Sequence, residues 1–234
     1  GLVPSRISHG QIDNAVALTS VGIENCIFTV TNNSNAAHRF ILMTGASQVL
    51  IQKTRLGIIG GTSDFRIVQN DTAGATITLV ENTWSSIATN GAMIGSSVAG
   101  IWWSFRNTFY NSNCPVVRAW SLGTYHGQEN SYNTGSNGNQ FLAISGGSFT
   151  EKADAFTYRV YAGMVIQHAI TAAAADTPAP AATAPYTVSL HTGVYTEAIT
   201  GAAFVNLVGL GGDPRSATAG ESVTIQQNDA TILT

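Results

Sequence analysis

Three stretches decide the fold. Val21-Gly-Ile-Glu-Asn-Cys-Ile-Phe28, Val49-Leu-Ile-Gln-Lys-Thr-Arg-Leu56 and Ile77-Thr-Leu-Val-Glu-Asn-Thr-Trp84 superimpose without a gap. Ile23, Ile51 and Leu79 recur at steps of 28 residues, and Ile101-Trp-Trp-Ser-Phe-Arg-Asn-Thr-Phe109 follows with one extra residue, which puts Trp103 24 residues beyond Leu79. Each stretch alternates large apolar with polar residues, as a half-buried strand does, and the linkers between them are Gly, Asn, Ser and Thr. A period in the twenties without hairpin turns predicts the coils of a parallel β-solenoid. In that architecture each coil pairs its backbone with the next and adds side chains to a continuous core. Asn25, Asn82 and Asn107 stand just before the turns toward Phe28, Trp84 and Phe109. Stacked amides there would hydrogen-bond from coil to coil, although the ordinary preference of Asn for turns explains the same spacing.

The composition of the 234 residues agrees with stacked β-structure. Charged residues make up 10% and apolar residues 44%, against roughly 25% charged in an ordinary soluble domain. Neutral Ser, Thr, Asn, Gln and Gly must therefore build most of the surface. The chain is too apolar to be disordered, and a net charge of −3 leaves no basic footprint for nucleic acid. No apolar run is long enough to cross a membrane and the N-terminus shows no signal-peptide pattern, so neither a membrane partner nor an address is expected. Cys26 and Cys114 form no C-x-x-C motif and read as small buried residues. The histidines His9, His38, His126, His168 and His191 have no metal-ligand spacing, so no metal and no cofactor is expected.

From Gly163 to Ala175 the pattern changes. Ile166, Ala169, Ile170, Ala173 and Ala174 fall at helical spacing, and Asp176-Thr-Pro178-Ala-Pro180 ends the helix. Short strands are predicted in Tyr186–Leu190, His191–Ile199, Phe204–Gly212, Val223–Ile225 and Thr231–Leu233. The Pro- and Ala-rich stretch from Thr177 to Pro185 reads as a surface loop.

An amphipathic helix followed by a strand, then Gly193-Val-Tyr-Thr-Glu197 and Val205-Asn-Leu-Val-Gly-Leu-Gly-Gly212, resembles the opening of right-handed parallel β-helices of the pectin-lyase-like superfamily. The similarity is greatest to the start of pectin methylesterases and to β-helix proteins of tailed phages. It covers about residues 155–234, and the coil period extends it over residues 15–120. It implies an all-β fold, a single right-handed parallel β-helix with one capping helix, over residues 1–234. Because what resembles the family's beginning lies at the end of the chain, the expected order is circularly permuted. Residues 1–148 would supply the middle and C-terminal coils, and residues 149–234 the cap and first coils. Pairing of the strands after Tyr186 with the 15–30 region is the signature of that order; the alternative is the tail of one β-helix followed by the head of another, which two separate stacks would mark.

The same resemblance bears on chemistry. Gly61-Thr-Ser-Asp64-Phe65 is similar to the family segment that carries the esterase nucleophile, and Asn14-Ala-Val-Ala-Leu18 to its Q-A-V-A-L segment. A second aspartate in a Q-D-T-L segment is missing, Asn14 replaces a glutamine, and Val117-Arg118-Ala-Trp120 departs from G-R-P-W. Asp64 is thus a candidate nucleophile or a turn aspartate bonded to backbone. Glu197, beside Tyr195 in the fold motif, is expected to be structural.

The aromatics are the other candidates. Trp102 and Trp103 are adjacent on a predicted strand, so one must leave the core. Trp120 and Tyr125 follow within a short stretch. An outward tryptophan among neutral polar residues suits a subunit interface or a sugar platform. These readings together point to a non-enzymatic structural or adhesion module of the phage-appendage kind, on a virion or outside a cell. By analogy with fibres it would be a homo-oligomer, a trimer, with a surface glycan as a further partner. The competing class is a carbohydrate-active esterase or lyase, which would need converging carboxylates.

Overall fold

The computed structural model describes residues 12–14, 20–31, 38–43, 48–59, 65–71, 73–86, 91–96, 98–110, 117–119, 123–133, 141–143, 147–210 and 223–226. Strands come in threes along the first half of the chain. They are β1 (Ile12–Asn14), β2 (Ser20–Glu24) and β3 (Ile27–Thr31), then β4 (His38–Met43), β5 (Gln48–Gln52) and β6 (Arg55–Ile59), then β7 (Phe65–Asn70), β8 (Thr76–Val80) and β9 (Thr83–Ser86). The series continues with β10 (Gly91–Ser96), β11 (Ile101–Phe105) and β12 (Thr108–Tyr110), and with β13 (Val117–Ala119), β14 (Thr124–Gln128) and β15 (Ser131–Asn133). After β16 (Phe141–Ala143) come β17 (Ser148–Lys152), β18 (Thr157–Val160), the helix α1 (Ile166–Ala174), β19 (Tyr186–Leu190), β20 (Gly193–Thr196), β21 (Val205–Gly209) and β22 (Val223–Gln226). The protein is mostly β, with parallel sheets and one helix among the described residues. It divides into two compact units, Gly1–Tyr125 with Asn130–Gly147, and His126–Glu129 with Ser148–Thr234.

In the first unit each strand pairs with the strand three places on. One parallel sheet runs β1-β4-β7-β10-β13-β16, a second runs β2-β5-β8-β11, and a third runs β3-β6-β9-β12-β15. Side chains of one register position therefore stack from strand to strand. The column Ile23, Ile51, Leu79 and Ser104 is buried, and so is the column Val49, Ile77 and Trp102. In the third sheet Leu56, Trp84 and Phe109 align and are all buried. Phe109 meets Trp84 edge-on with centroids 5.7 Å apart and lies parallel to Tyr132 at 5.3 Å. Each fully buried side chain of this size contributes about 1.5–3 kcal/mol relative to exposure, so these columns account for the alternation seen in the sequence.

The register corrects one sequence expectation. Trp103 pairs with Thr78 and Ser104 with Leu79, so the third step is 25 residues and the inward position is held by a serine. Trp103 points the other way because neighbours on a strand alternate faces.

The turn after β2, β5, β8 and β11 is built the same way each time. Asn25, Lys53, Glu81 and Arg106 all take left-handed backbone conformations, with φ of 54°, 49°, 53° and 50°. That conformation costs roughly 1–2 kcal/mol for a non-glycine residue. Hydrogen bonds to the neighbouring strand set offset it: Asn25 N–H donates to Gln52 O at 3.2 Å, Lys53 N–H to Val80 O at 2.9 Å and Glu81 N–H to Phe105 O at 2.9 Å. The next residue of the turn is held by side-chain amides. Oδ1 of Asn82 accepts from Thr54 N–H at 2.9 Å, Oδ1 of Asn107 from Asn82 N–H at 2.8 Å, and Oδ1 of Asn130 from Asn107 N–H at 2.9 Å. Their Nδ2 groups donate to Ile51 O, Leu79 O and Ser104 O at 2.8, 3.0 and 2.8 Å. The amide ladder is thus real, but its members are Asn82, Asn107 and Asn130. Asn25 belongs to the preceding, left-handed position, because the gapless superposition places Cys26, not Asn25, opposite Thr54 and Asn82.

In the second unit β17 and β18 are antiparallel, with Glu151 opposite Arg159 and Lys152 opposite Tyr158. β18, β19 and β21 then pair in parallel, as do β20 and β22. The helix lies where periodicity put it and packs against β17, β18 and β19 through Ile166, Ala169, Ile170 and Ala173. Its first N–H groups are satisfied from 31 residues away: Glu197 Oε1 accepts from Ile166 N–H at 2.8 Å and Oε2 from Gln167 N–H at 3.1 Å. Tyr195, buried beside it, has its hydroxyl 2.8 Å from His191 O and 3.2 Å from Val160 O. Both residues of the Gly193–Glu197 motif are therefore structural. Among the described residues β2 pairs with β5 and β3 with β6, while β19 pairs with β18 and β21. These pairs give the permuted order no support. Thr231–Leu233 lies outside the described residues.

Candidate interaction face

Burial separates the candidate aromatics. Trp102 is 2% exposed and Tyr125 1%, with the Tyr125 hydroxyl 2.7 Å from that of Tyr132, so both are core residues. Trp103 is 39% exposed, and its ring lies parallel to Phe105 with centroids 6.2 Å apart and planes 5° from coplanar. Asp64, Trp120 and Cys114 lie outside the described residues. Cys26 is a free thiol, its Sγ 3.2 Å from Glu24 O.

Trp103 stands in a wider outward surface. The strand pairings set Gln48, Thr76 and Ile101 in one row, Leu50, Thr78 and Trp103 in the next, and Gln52, Val80 and Phe105 in a third. Over β5, β8 and β11 no residue of these rows carries a charge, the third row reaching Glu24 only on β2, and Leu50 and Ile101 are exposed on the same face as Trp103. Charge returns at the adjoining turn, where the left-handed residues Lys53, Glu81 and Arg106 follow one another with alternating sign. Arg106 Nη2 lies 2.9 Å from Glu81 Oε1. Sequence reasoning found Trp103 through strand alternation. It missed Leu50, whose place on this face follows from the 25- and 28-residue register, whereas Phe105 lies two residues on along the same strand and so on the same side as Trp103.

The second unit contains two half-buried polar clusters. In one, Lys152 Nζ lies 2.5 Å from Asp176 Oδ2, to which the Tyr158 hydroxyl also donates at 2.8 Å. Burial raises the Asp176 carboxyl, but hydrogen bonds from Lys152, Thr177 and Tyr158 outweigh it and hold it below the usual range. Tyr158 is pushed far up, first by burial and then by the Asp176 carboxylate. In the other cluster His191 stacks on Tyr161 with centroids 4.2 Å apart. Its buried Nε2 has no hydrogen-bond partner. Burial, and secondarily the charge of Arg159, lower its pKa from 6.5. His126, with Nδ1 3.4 Å from Thr150 Oγ1, is lowered by burial.

Among the described residues no group of three or more His, Cys, Asp or Glu could hold a metal ion, and no helix is long and apolar enough to cross a membrane. Several described carboxylates have defined partners: Glu197 at α1, Asp176 at Lys152, Glu81 at Arg106, and Asp154 at Phe156 N–H. No protein-family model, no curated protein and no solved structure matches this chain.

Proposed function

We propose that the chain is a structural or adhesion module built as a right-handed parallel β-helix, and that its uncharged outward face around Trp103 joins copies of itself. The every-third-strand pairing of the first unit and the amide ladder support the β-helix. The motif resemblance in residues 155–234 supports placing it among β-helix proteins of the phage-appendage kind. One observation carries the functional reading: β5, β8 and β11 present three rows without a charge, with Leu50, Ile101 and Trp103 exposed together. Exposed, flat, uncharged β-surfaces do little to oppose association. A second copy fits such a face better than a charged partner, whose charges would lose their hydration with no opposite charge on this face to pair them. A trimer is the assembly that the fibre analogy suggests.

Sedimentation of wild type beside Ile101→Ser/Trp103→Ser tests this. The wild type should run as an oligomer and the double variant as a monomer with an unchanged far-UV spectrum. A monomeric wild type would overturn the reading. So would carbohydrate ester hydrolysis or lyase activity that disappears in Asp64→Ala, which would move the protein to the enzyme class.

A further inference from the structure

We propose that Lys152 and Asp176 condense to an internal isopeptide cross-link. Lys152 ends β17 and Asp176 follows α1, so the bond would join residues 24 apart and enclose both β18 and the helix. Three features of the site favour this over an ordinary surface ion pair. Nζ is already 2.5 Å from the carboxyl oxygen, with the two side chains only 22% and 17% exposed. Two aromatic rings flank the amine, the centroids of Tyr158 and Tyr186 lying 5.8 and 5.9 Å from Nζ, and Phe156 packs edge-on to Tyr186 at 5.3 Å. Finally, the carboxyl is oriented from both sides. Tyr158 O–H donates to Oδ2 at 2.8 Å and Thr177 N–H to Oδ1 at 2.7 Å.

The chemistry balances without a co-reactant. The charged pair is the resting form. The reacting form is the minor tautomer in which one proton has moved along the contact from Nζ to Oδ2, leaving a neutral amine beside a neutral acid. The Nζ lone pair then forms the N–Cγ bond, and Thr177 N–H stabilises the charge that develops on Oδ1. The Cγ–Oδ2 bond breaks as a second proton passes from nitrogen to Oδ2, and water leaves. Tyr158, held protonated, keeps its hydrogen bond to the departing oxygen. Ammonium and carboxylate become one amide and one water. Holding the reactants in contact replaces the encounter that makes this condensation slow in solution.

Intact mass of the folded wild-type chain reads the outcome directly. The expected mass is one water below that of the sequence, with a branched Lys152–Asp176 peptide after proteolysis. Lys152→Arg, which keeps a cation on Asp176 but no primary amine, should show the full mass, and Tyr158→Phe should accumulate the cross-link more slowly. A wild-type mass equal to the sequence mass would overturn the proposal. Water loss that persists in Lys152→Arg would overturn it too, since it would mark a cyclised aspartate elsewhere.

Discussion

The side-chain oxygen of Asn107 accepts two hydrogen bonds from Asn82, one from its backbone N–H at 2.8 Å and one from its Nδ2 at 2.9 Å. Both residues are about 1% exposed, so neither group can turn to water instead. The amide of one strand set thus does for the set before it what a local turn bond does in a hairpin.

Asn107→Ala should therefore cost more than the loss of one surface hydrogen bond. It leaves Asn82 N–H and Leu79 O without their partners in the interior, each worth about 1–3 kcal/mol when buried unsatisfied. Urea unfolding should show a clearly lower midpoint. Asn107→Asp keeps the acceptor but places a charge in the ladder and loses the donor to Leu79 O, so its midpoint should fall as well.

The cap on α1 gives a second measurement. The residue at the N-cap position, Val165, offers no side-chain bond of its own, and Glu197 supplies both acceptors. Glu197→Ala should destabilise the second unit by about 1 kcal/mol, the usual cost of losing a cap and its favourable charge at a helix N-terminus. Amide exchange should quicken first at Ile166 and Gln167. Unchanged exchange at those two positions would contradict this role.

Acid should weaken the second unit through His191. Its folded-state pKa lies below the ordinary 6.5 because burial, then Arg159, disfavour the charged ring. Below pH 6.5 the unfolded chain takes up a proton that the folded chain refuses. Stability is therefore full above that pH and falls as the pH drops toward the folded-state value. His126 is shifted the same way by burial. His191→Phe, which keeps a ring against Tyr161, should flatten part of the loss in a pH series of denaturant midpoints, and adding His126→Phe should flatten more. A pH dependence identical to wild type in both variants would refute it.

Much of the fold was legible because it repeats. The recurrence of Ile23, Ile51 and Leu79 located the second sheet, and helical spacing located α1. The errors came where one residue of register matters. Asn25 resembles Asn82 chemically, yet occupies the left-handed position before it. The spacing puts Trp103 in the column of Leu79, yet pairing gives that place to Ser104. Long-range partners left no local trace: nothing near Ile166 announces Glu197, and the antiparallel pairing of β17 with β18 carries no hairpin signal such as Asn-Gly. The outward face around Trp103 was half visible, since alternation predicts one outward tryptophan but cannot say which strands flank it.

The adjacent tryptophans offer the sharpest contrast between packing and surface roles. Trp102, buried in column with Val49 and Ile77, should cost about 3–5 kcal/mol when cut to alanine, the range for large aromatic residues in cores. Trp103→Ala removes a ring that is 39% exposed and rests on Phe105, so the protomer should lose much less, about 1 kcal/mol or below. Oligomerisation should respond in the opposite order per unit of stability lost: Trp103→Ala weakens it in a folded chain, whereas Trp102→Ala weakens it only as far as it unfolds the first unit. Denaturant midpoints read beside sedimentation at several protein concentrations separate the two. If Trp103→Ala left self-association intact at every concentration, the face around Leu50 and Ile101 would lose its central residue, and with it the case for that face as the contact between copies.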